Sequence, residues 1–186
     1  EEIEHRRACR RPLHSPPVFD QKGGIYLITA ACYKHVPIIG SRLGRLAEFE
    51  DELIRHLEKI CNEIYAWSVL ENHYHAVVGI DGPIPFKKEL GQLHGRISRI
   101  WNSQDNSIGR QVWYRWTERK IKSEAHFYAT LNYVHHNAVK HGLCKTWYDW
   151  PYSSAVQFVE MVGLEKAKEI WLRYPLKNYG EAWDKY

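Results

Sequence analysis

The segment from residue 66 to residue 80 constrains the fold more than any other part of this sequence. Two extended apolar runs, 66–70 and 73–80, are separated by Glu71-Asn72 alone, and a turn segment, Asp81-Gly82-Pro83, closes the second run. Strand-like runs with so short a connection predict an antiparallel hairpin. Gly and Pro in the closing segment fit a turn at its end. The sequence therefore predicts an antiparallel sheet as the framework of the domain.

The second strand of this hairpin carries two histidines on one face. Side chains alternate along a strand, so His73 and His75 point the same way, whereas Tyr74 and the apolar residues at every second position after it point the other way. One interpretation is a metal-binding platform on the sheet. The other is a pair of ordinary polar positions on a solvated face, since the chain has 11 histidines. Further ligands and a nucleophile elsewhere in the chain would favour the first interpretation.

The elements around the hairpin predict the topology. An apolar strand is expected over 25–33, a helix over 45–64, a second helix over 86–101, a strand over 111–121, and a third helix from the cap Ser123 to about 139, ended by Gly142. The first helix is indicated by apolar residues at steps of three and four, namely Leu46, Phe49, Leu53, Leu57, Ile60 and Ile64. This order predicts an α+β, ferredoxin-like βαββαβ antiparallel sheet with helices on one face, followed by an additional helix and a short helical tail.

The third helix offers a nucleophile beside its apolar stripe. Tyr133 and Asn137 are four residues apart, so they neighbour each other on one face, at the flank of the stripe. Two imidazoles and an amide oxygen can hold Mg²⁺ or Mn²⁺ and leave positions for a phosphate oxygen and water. Such an ion polarises a phosphate, and a tyrosine hydroxyl can then attack phosphorus to give a phosphotyrosine link and a free 3′-hydroxyl. On spacing alone, a tyrosine at this position is more often a packing residue.

Composition is compatible with a nucleic-acid ligand without requiring one. The net charge is +4, and the chain contains eight Trp and twelve Tyr. Aromatic rings among basic residues suit single-stranded nucleic acid, where bases stack and phosphates meet cations. The alternative is that most rings pack in the interior. The four cysteines are scattered without a Cys-x-x-Cys pair, which argues against a zinc-ribbon site.

Four segments, in order along the chain, resemble the REP-associated tyrosine transposases, which belong to the HUH single-tyrosine transposases. Asn72-His73-Tyr74-His75 resembles the family's Asn-His-hydrophobic-His motif, and the segment 133–143 resembles its Tyr-Ile-His-x-Asn-Pro-Val-Lys-x-Gly-Leu motif. Trp150-Pro151-Tyr152-Ser153-Ser154 is similar to its Trp-x-x-Ser-Ser tail, and Val112-Trp113 to the strand before the catalytic helix. The resemblance spans residues 23–157.

The resemblance implies Tyr133 as the nucleophile and His73, His75 and Asn137 as the metal ligands. It implies single-stranded DNA as the substrate, in particular hairpins of repetitive extragenic palindromes, cleaved and rejoined through a covalent 5′-phosphotyrosine intermediate. The cofactor would be Mg²⁺ or Mn²⁺.

The chain departs from the family pattern at two positions. Tyr74 replaces an aliphatic residue, which its core-facing parity tolerates, and Ala138 stands where proline is common. Neither change removes a proposed catalytic atom. His136 is a rival third metal ligand, but it lies farther around the helix than Asn137.

Contacts to DNA are less localised in the sequence. Six basic residues of the second helix and the last strand are candidate phosphate contacts, namely Lys87, Lys88, Arg96, Arg99, Arg115 and Arg119. A solvated face explains each of them equally well. Trp147 and Trp150 are interpreted as packing residues in preference to base-stacking ones.

The predicted organisation is an irregular basic arm over 1–22, an HUH transposase catalytic domain over 23–143 and a helical tail over 144–186 that packs on it. The arm is expected either to contact phosphates or to be a solvated terminus. No apolar run long enough to span a membrane is present in the sequence, and a cytoplasmic location is the simplest expectation. The oligomeric state is left open between monomer and homodimer. Two other functions remain: a non-catalytic nucleic-acid-binding regulator on the same fold, and a metallonuclease that uses water in place of Tyr133.

Overall fold

The chain is built around a four-stranded antiparallel sheet. The structure is a computed structural model that describes residues 23–180 apart from 82 and 178. Strands β1 (Gly24–Ala31), β2 (Glu63–Val69), β3 (His73–Ile80) and β4 (Thr117–Ile121) are arranged in the order β2-β3-β1-β4, with every neighbouring pair antiparallel. The helices are α1 (Arg45–Ile60), α2 (Pro83–Gln104), α3 (Glu124–Lys140), α4 (Ala155–Val162) and α5 (Leu164–Arg173). The predicted α+β, ferredoxin-like fold is thus confirmed.

The sheet is covered on both faces. Helices α1 and α2 contribute Phe49 and Leu90 to an apolar cluster that includes Tyr74 of β3. Helix α3 covers the opposite face, where Leu131 packs with Val77 of β3. All eight residues of β3 are consequently buried.

The two largest differences from the predicted element boundaries lie at the end of α1 and the start of β4. Helix α1 ends at Ile60, and Ile64 belongs to β2. Both residues face the cluster shared by α1 and the sheet, so the apolar spacing continues across the change from helix to strand. Strand β4 is shorter than the predicted 111–121, because Trp113 pairs with Cys32 as an isolated bridge before the chain enters the ladder at Thr117.

The termini of α3 follow the sequence signals. Ser123 Oγ accepts a hydrogen bond from the His126 backbone N–H at 3.1 Å, as an N-cap residue does. Gly142 has φ +72° just after the helix, a conformation that glycine adopts without strain.

The segment after α3 runs along the free edge of β2. The Val69 N–H donates to the Tyr152 carbonyl at 2.8 Å, and the Trp150 indole N–H donates to the Val69 carbonyl at 2.8 Å. The predicted arm over 1–22 lies outside the described residues, as does the end of the predicted tail, 181–186. None of the helices in the described part of the chain combines the length and the apolarity needed to cross a membrane.

Candidate active site

The histidine pair lies in the interior, between the sheet and α3. His73 is 4 % exposed and His75 is fully buried, and their ring centroids are 5.1 Å apart. The alternative interpretation, in which these histidines are ordinary polar residues on a solvated face of the sheet, is therefore wrong. Strand alternation places both rings on the face that α3 covers, as expected.

Helix α3 brings Tyr133 and Asn137 to the two imidazoles. Asn137 Oδ1 is 2.9 Å from His73 Nε2, and Tyr133 Oη is 3.4 Å from His75 Nε2. Residues four apart on a helix lie one turn apart on the same face, and each reaches the histidine opposite it. All four residues predicted to form the site are consequently in one cluster, two from β3 and two from α3.

Both imidazoles are oriented by a partner on their Nδ1 side. Asn72 Oδ1 lies 2.6 Å from His73 Nδ1, and Thr29 Oγ1 lies 2.8 Å from His75 Nδ1. When each Nδ1–H donates to that oxygen, the Nε2 lone pair of each ring faces α3. Metal-binding histidines in proteins are generally held in this way by a hydrogen bond from their second nitrogen.

The donor set fits a divalent cation. The Asn72 amide nitrogen donates to the His35 carbonyl at 3.0 Å, which turns the amide oxygen towards His73 Nδ1. The His73 Nε2 lone pair and Asn137 Oδ1 then face each other at 2.9 Å, and two lone pairs repel unless a proton or a cation lies between them. Neighbouring ligands of an octahedral Mg²⁺, with bonds of about 2.1 Å, lie about 3 Å apart.

The amide nitrogen of Asn137 is buried and has no hydrogen-bond partner within the described part of the chain. The amide oxygen of Asn137 is the atom that faces His73 Nε2. No group of three or more His, Cys, Asp or Glu residues that could hold a metal occurs among the described residues, so an ion at this cluster would need ligands besides the two histidines.

The aromatic ring of Tyr133 is enclosed by the end of the described chain. Tyr133 is 1 % exposed, its ring centroid is 5.8 Å from that of Tyr179, and the Lys140 Nζ lies 5.2 Å from its centroid. Gly180 approaches so closely that a Cβ atom added there would be 2.3 Å from Tyr133 Cε2. The Lys140 ammonium also donates to the Gly180 carbonyl at 3.3 Å.

His136 and Trp147 lie away from this cluster. The His136 ring stacks between Trp171, at 3.5 Å between centroids, and Trp147, at 5.0 Å. Burial lowers the pKa of His136 to about 4. His136 is therefore a packing residue in this structure, and so is Trp147, as the sequence favoured.

The six predicted phosphate contacts separate into two groups. Lys87, Lys88, Arg96 and Arg99 are exposed on α2, on the face of the sheet opposite Tyr133. Lys87 forms an ion pair with Glu118 of β4, and Arg96 forms one with Glu52 of α1.

The other two basic residues belong to the β4 segment. Arg119 pairs with Leu27, a residue of the α3-side cluster, so it lies on the same face of the sheet as His75. Arg115 is exposed in the loop that leads into β4.

Sequence reasoning missed three residues of the site. Thr29 and Asn72 orient the imidazoles, and the ring of His141 lies 4.9 Å from that of His73. Thr29 lies opposite His75 in the pairing of β1 with β3. This position could be predicted only from the strand register, which the sequence alone does not give. The sequence shows Asn72 directly before His73, but it does not show that the Asn72 side chain contacts His73 and the His35 carbonyl.

Comparison with known proteins gives a fold match. Neither the family models nor the curated proteins compared with this chain gave a match. Among solved structures, the fold matches that of a REP-associated tyrosine transposase bound to a REP hairpin, with a TM-score of 0.57 and 21 % identity over 80 % of this chain and 86 % of that chain. At this identity the likeness shows a common fold. That structure belongs to the family whose motifs this sequence resembles.

Proposed function

We propose that this protein is a metal-dependent single-strand DNA endonuclease and strand transferase of the tyrosine transposase class. The observation that carries the proposal is the convergence of Tyr133 and Asn137 of α3 on the Nε2 atoms of His75 and His73. A regulator that only binds DNA does not need this set of buried polar groups. Burying polar groups costs free energy, so their presence favours a catalytic role. The fold match to a REP-associated tyrosine transposase supports the same class.

The chemistry assigns one role to each side chain. His73, His75 and Asn137 would hold Mg²⁺ or Mn²⁺, which supplies polarisation of the scissile phosphate and stabilisation of negative charge. Tyr133 Oη attacks phosphorus as the phosphorus–O3′ bond breaks, so the 5′-phosphate of the downstream DNA fragment becomes linked to the tyrosine and the upstream fragment leaves with its 3′ oxygen. The tyrosine hydroxyl loses its proton, and the released 3′ oxygen takes one up. Attack of a 3′-hydroxyl on the phosphotyrosine reverses these bonds and joins strands without ATP.

The proposed substrate is single-stranded DNA with a hairpin. The similar solved structure is bound to a REP hairpin. Because Tyr133 is 1 % exposed and its ring packs against Gly180, binding of the substrate is expected to be accompanied by a displacement of Gly180 from the ring.

The decisive experiment compares two buried tyrosines of this chain. We expect Tyr133→Phe to fold and bind hairpin DNA but to give no covalent protein–DNA adduct on a denaturing gel with Mn²⁺. The matched control is Tyr74→Phe, which removes a buried hydroxyl on the other face of the sheet and is expected to retain the adduct. An adduct that persists in Tyr133→Phe would contradict the proposal.

The same gel separates the two other functions. A water-using metallonuclease would cleave DNA without any adduct, and its cleavage would survive Tyr133→Phe. A non-catalytic regulator would bind the hairpin and leave it uncut in both wild type and variant.

A further inference from the structure

An aromatic patch lies on the surface beside the histidine pair. It consists of Tyr33, His35 and Tyr114, with centroid distances to the Tyr114 ring of 5.0 Å from Tyr33 and 5.3 Å from His35. Tyr114 is 38 % exposed and the adjoining Val36 is 49 % exposed. The patch thus presents ring surface to solvent through Tyr114, which is the most exposed Phe, Trp or Tyr among the described residues.

The backbone under the aromatic patch is held in place. Tyr33–His35 form a single 3₁₀ turn in which Lys34 and His35 have φ values of 53° and 52°, which is strained for residues other than glycine. Such strain persists where the surroundings fix it, and it clusters at functional sites. Here the Tyr33 N–H donates to the Val112 carbonyl at 2.7 Å, and the Tyr114 N–H donates to the Ala31 carbonyl at 2.9 Å.

One side chain joins the aromatic patch to the candidate active site. The Asn72 amide nitrogen donates to the His35 carbonyl, and its oxygen lies 2.6 Å from His73 Nδ1. The patch is therefore separated from a proposed metal ligand by a single amide. Ala31, two residues before Tyr33, pairs with His73, and the Tyr114 N–H donates to the Ala31 carbonyl, so both tyrosines adjoin the end of the sheet that carries the histidine pair.

Cations flank the rings. The Lys34 Nζ lies 5.7 Å from the centroid of Tyr33, and its side chain is exposed. Arg115 follows Tyr114 directly and is also exposed. Exposed rings interleaved with cations are the arrangement by which proteins bind single strands, with bases on the rings and phosphates at the cations.

We propose that the aromatic patch is a stacking platform for an unpaired base of the DNA strand next to the scissile phosphate. Tyr114 provides the exposed ring surface, and Lys34 and Arg115 meet the flanking phosphates. This inference rests on the proposed function, because it assumes that single-stranded DNA passes through the site. It predicts that the patch recognises the unpaired flank of a hairpin and is indifferent to the paired stem.

The test uses the full chain carrying Tyr133→Phe, so that binding is measured without chemistry. The probes are a DNA hairpin with an unpaired flank that contains 2-aminopurine, and the same stem and loop without a flank. We expect wild-type rings to quench the 2-aminopurine fluorescence. Combined Tyr33→Leu and Tyr114→Leu should remove the quenching and weaken binding of the flanked hairpin roughly five- to 150-fold, which corresponds to about 1–3 kcal/mol of stacking on one base.

Two further variants distinguish the loss of base stacking from misfolding of the protein. Tyr114→Trp keeps an aromatic surface and should retain the quenching. Tyr26→Leu replaces another half-buried tyrosine, at the far end of β1, and should change neither measurement. Equal weakening for hairpins with and without the flank, or unchanged affinity for both, would overturn the platform.

The outcomes also separate this inference from the proposed function. If Tyr133 forms the adduct while the platform variants bind the flanked hairpin normally, the platform is wrong and the proposed function stands. If no adduct forms in otherwise wild-type protein but quenching depends on Tyr33 and Tyr114, the platform stands as a DNA-binding surface and the proposed chemistry is wrong.

Discussion

Two buried tyrosine–histidine contacts lie on opposite faces of the sheet, and their surroundings differ. On the face covered by α1 and α2, Tyr74 Oη is 3.0 Å from His94 Nε2. On the face covered by α3, Tyr133 Oη is 3.4 Å from His75 Nε2. Residue types and burial are nearly the same in both pairs, so neither property distinguishes a structural contact from a site of chemistry.

The neighbours of each pair make the distinction. His94 stacks on Trp113 at 4.5 Å between centroids, burial lowers the pKa of His94 to about 4, and burial raises the pKa of Tyr74. That contact is a closed pair inside an aromatic core. The ring of His75 instead lies 5.1 Å from that of His73, to which Asn137 also presents an oxygen. Convergence of several lone pairs marks the second site.

The largest expected effect comes from removing a proposed metal ligand. Asn137→Ala or His75→Ala should lower the rate of adduct formation about a thousandfold, because a bound metal ion supplies several kcal/mol of charge stabilisation. Chelation of divalent metal should abolish the adduct in the wild type. The measurement is the time course of the adduct on a denaturing gel. His94→Gln on the opposite face is the matched control, and an equal loss in that variant would remove the distinction between the two sites.

A smaller effect is expected from Thr29, which contacts His75 Nδ1 at 2.8 Å. Thr29→Val keeps the shape of the side chain but removes the hydroxyl, so His75 loses the partner that orients it. Partners of this kind are worth about 10- to 100-fold in metal affinity. A Mn²⁺ titration, followed by calorimetry and by adduct formation, should show the loss, and Thr29→Ser should restore the affinity. The assignment fails if Ser and Val behave alike.

The Tyr74–His94 pair should affect stability in place of activity. The pKa of His94 is about 4 in the folded chain, against an ordinary value of 6.5. At pH 5, His94 is therefore protonated in the unfolded chain and neutral in the folded chain. The free energy of unfolding should therefore be largest near neutral pH and fall as the pH drops below about 6.5. For His94 the loss between pH 7 and pH 5 is about 2 kcal/mol. Urea unfolding at both pH values should show a smaller loss in His94→Gln, whereas an equal loss in the two proteins would contradict the lowered pKa of the buried His94.

The smallest effects are expected from single basic residues. Arg119 shares its face with His75, whereas Lys88 lies on α2 on the other side. Arg119→Ala should weaken hairpin binding several-fold and lower the slope of log affinity against log salt by about one. Lys88→Ala is expected to change both quantities less. If the two variants lose equal affinity, DNA contacts both faces of the domain.

The sequence was sufficient for the framework of the site. Strand alternation placed His73 and His75 on one face, and helical spacing placed Tyr133 beside Asn137. Both arguments use short-range geometry, which a single sequence carries directly. The boundary of α1 was wrong because Ile64 continues the apolar spacing of the helix while belonging to β2.

Long-range features of the site were not predictable. Thr29 contacts His75 because the register of β1 with β3 places the two residues opposite each other. Asn72 contacts the His35 carbonyl because Lys34 and His35 adopt positive φ values, and no glycine in the sequence indicates such a turn. The position of Gly180 against Tyr133 depends on how the tail packs, which local spacing does not encode.

Gly180 has a consequence for how this chain tolerates sequence change. Its φ is +74°, and a Cβ atom there would overlap the Tyr133 ring. Every other amino acid would therefore strain the backbone and displace either the tail or the tyrosine. In a saturation library, position 180 is expected to tolerate few substitutions, although glycine has no reactive group. A map of mutational tolerance would thus extend the apparent active site to a residue that can perform no chemistry.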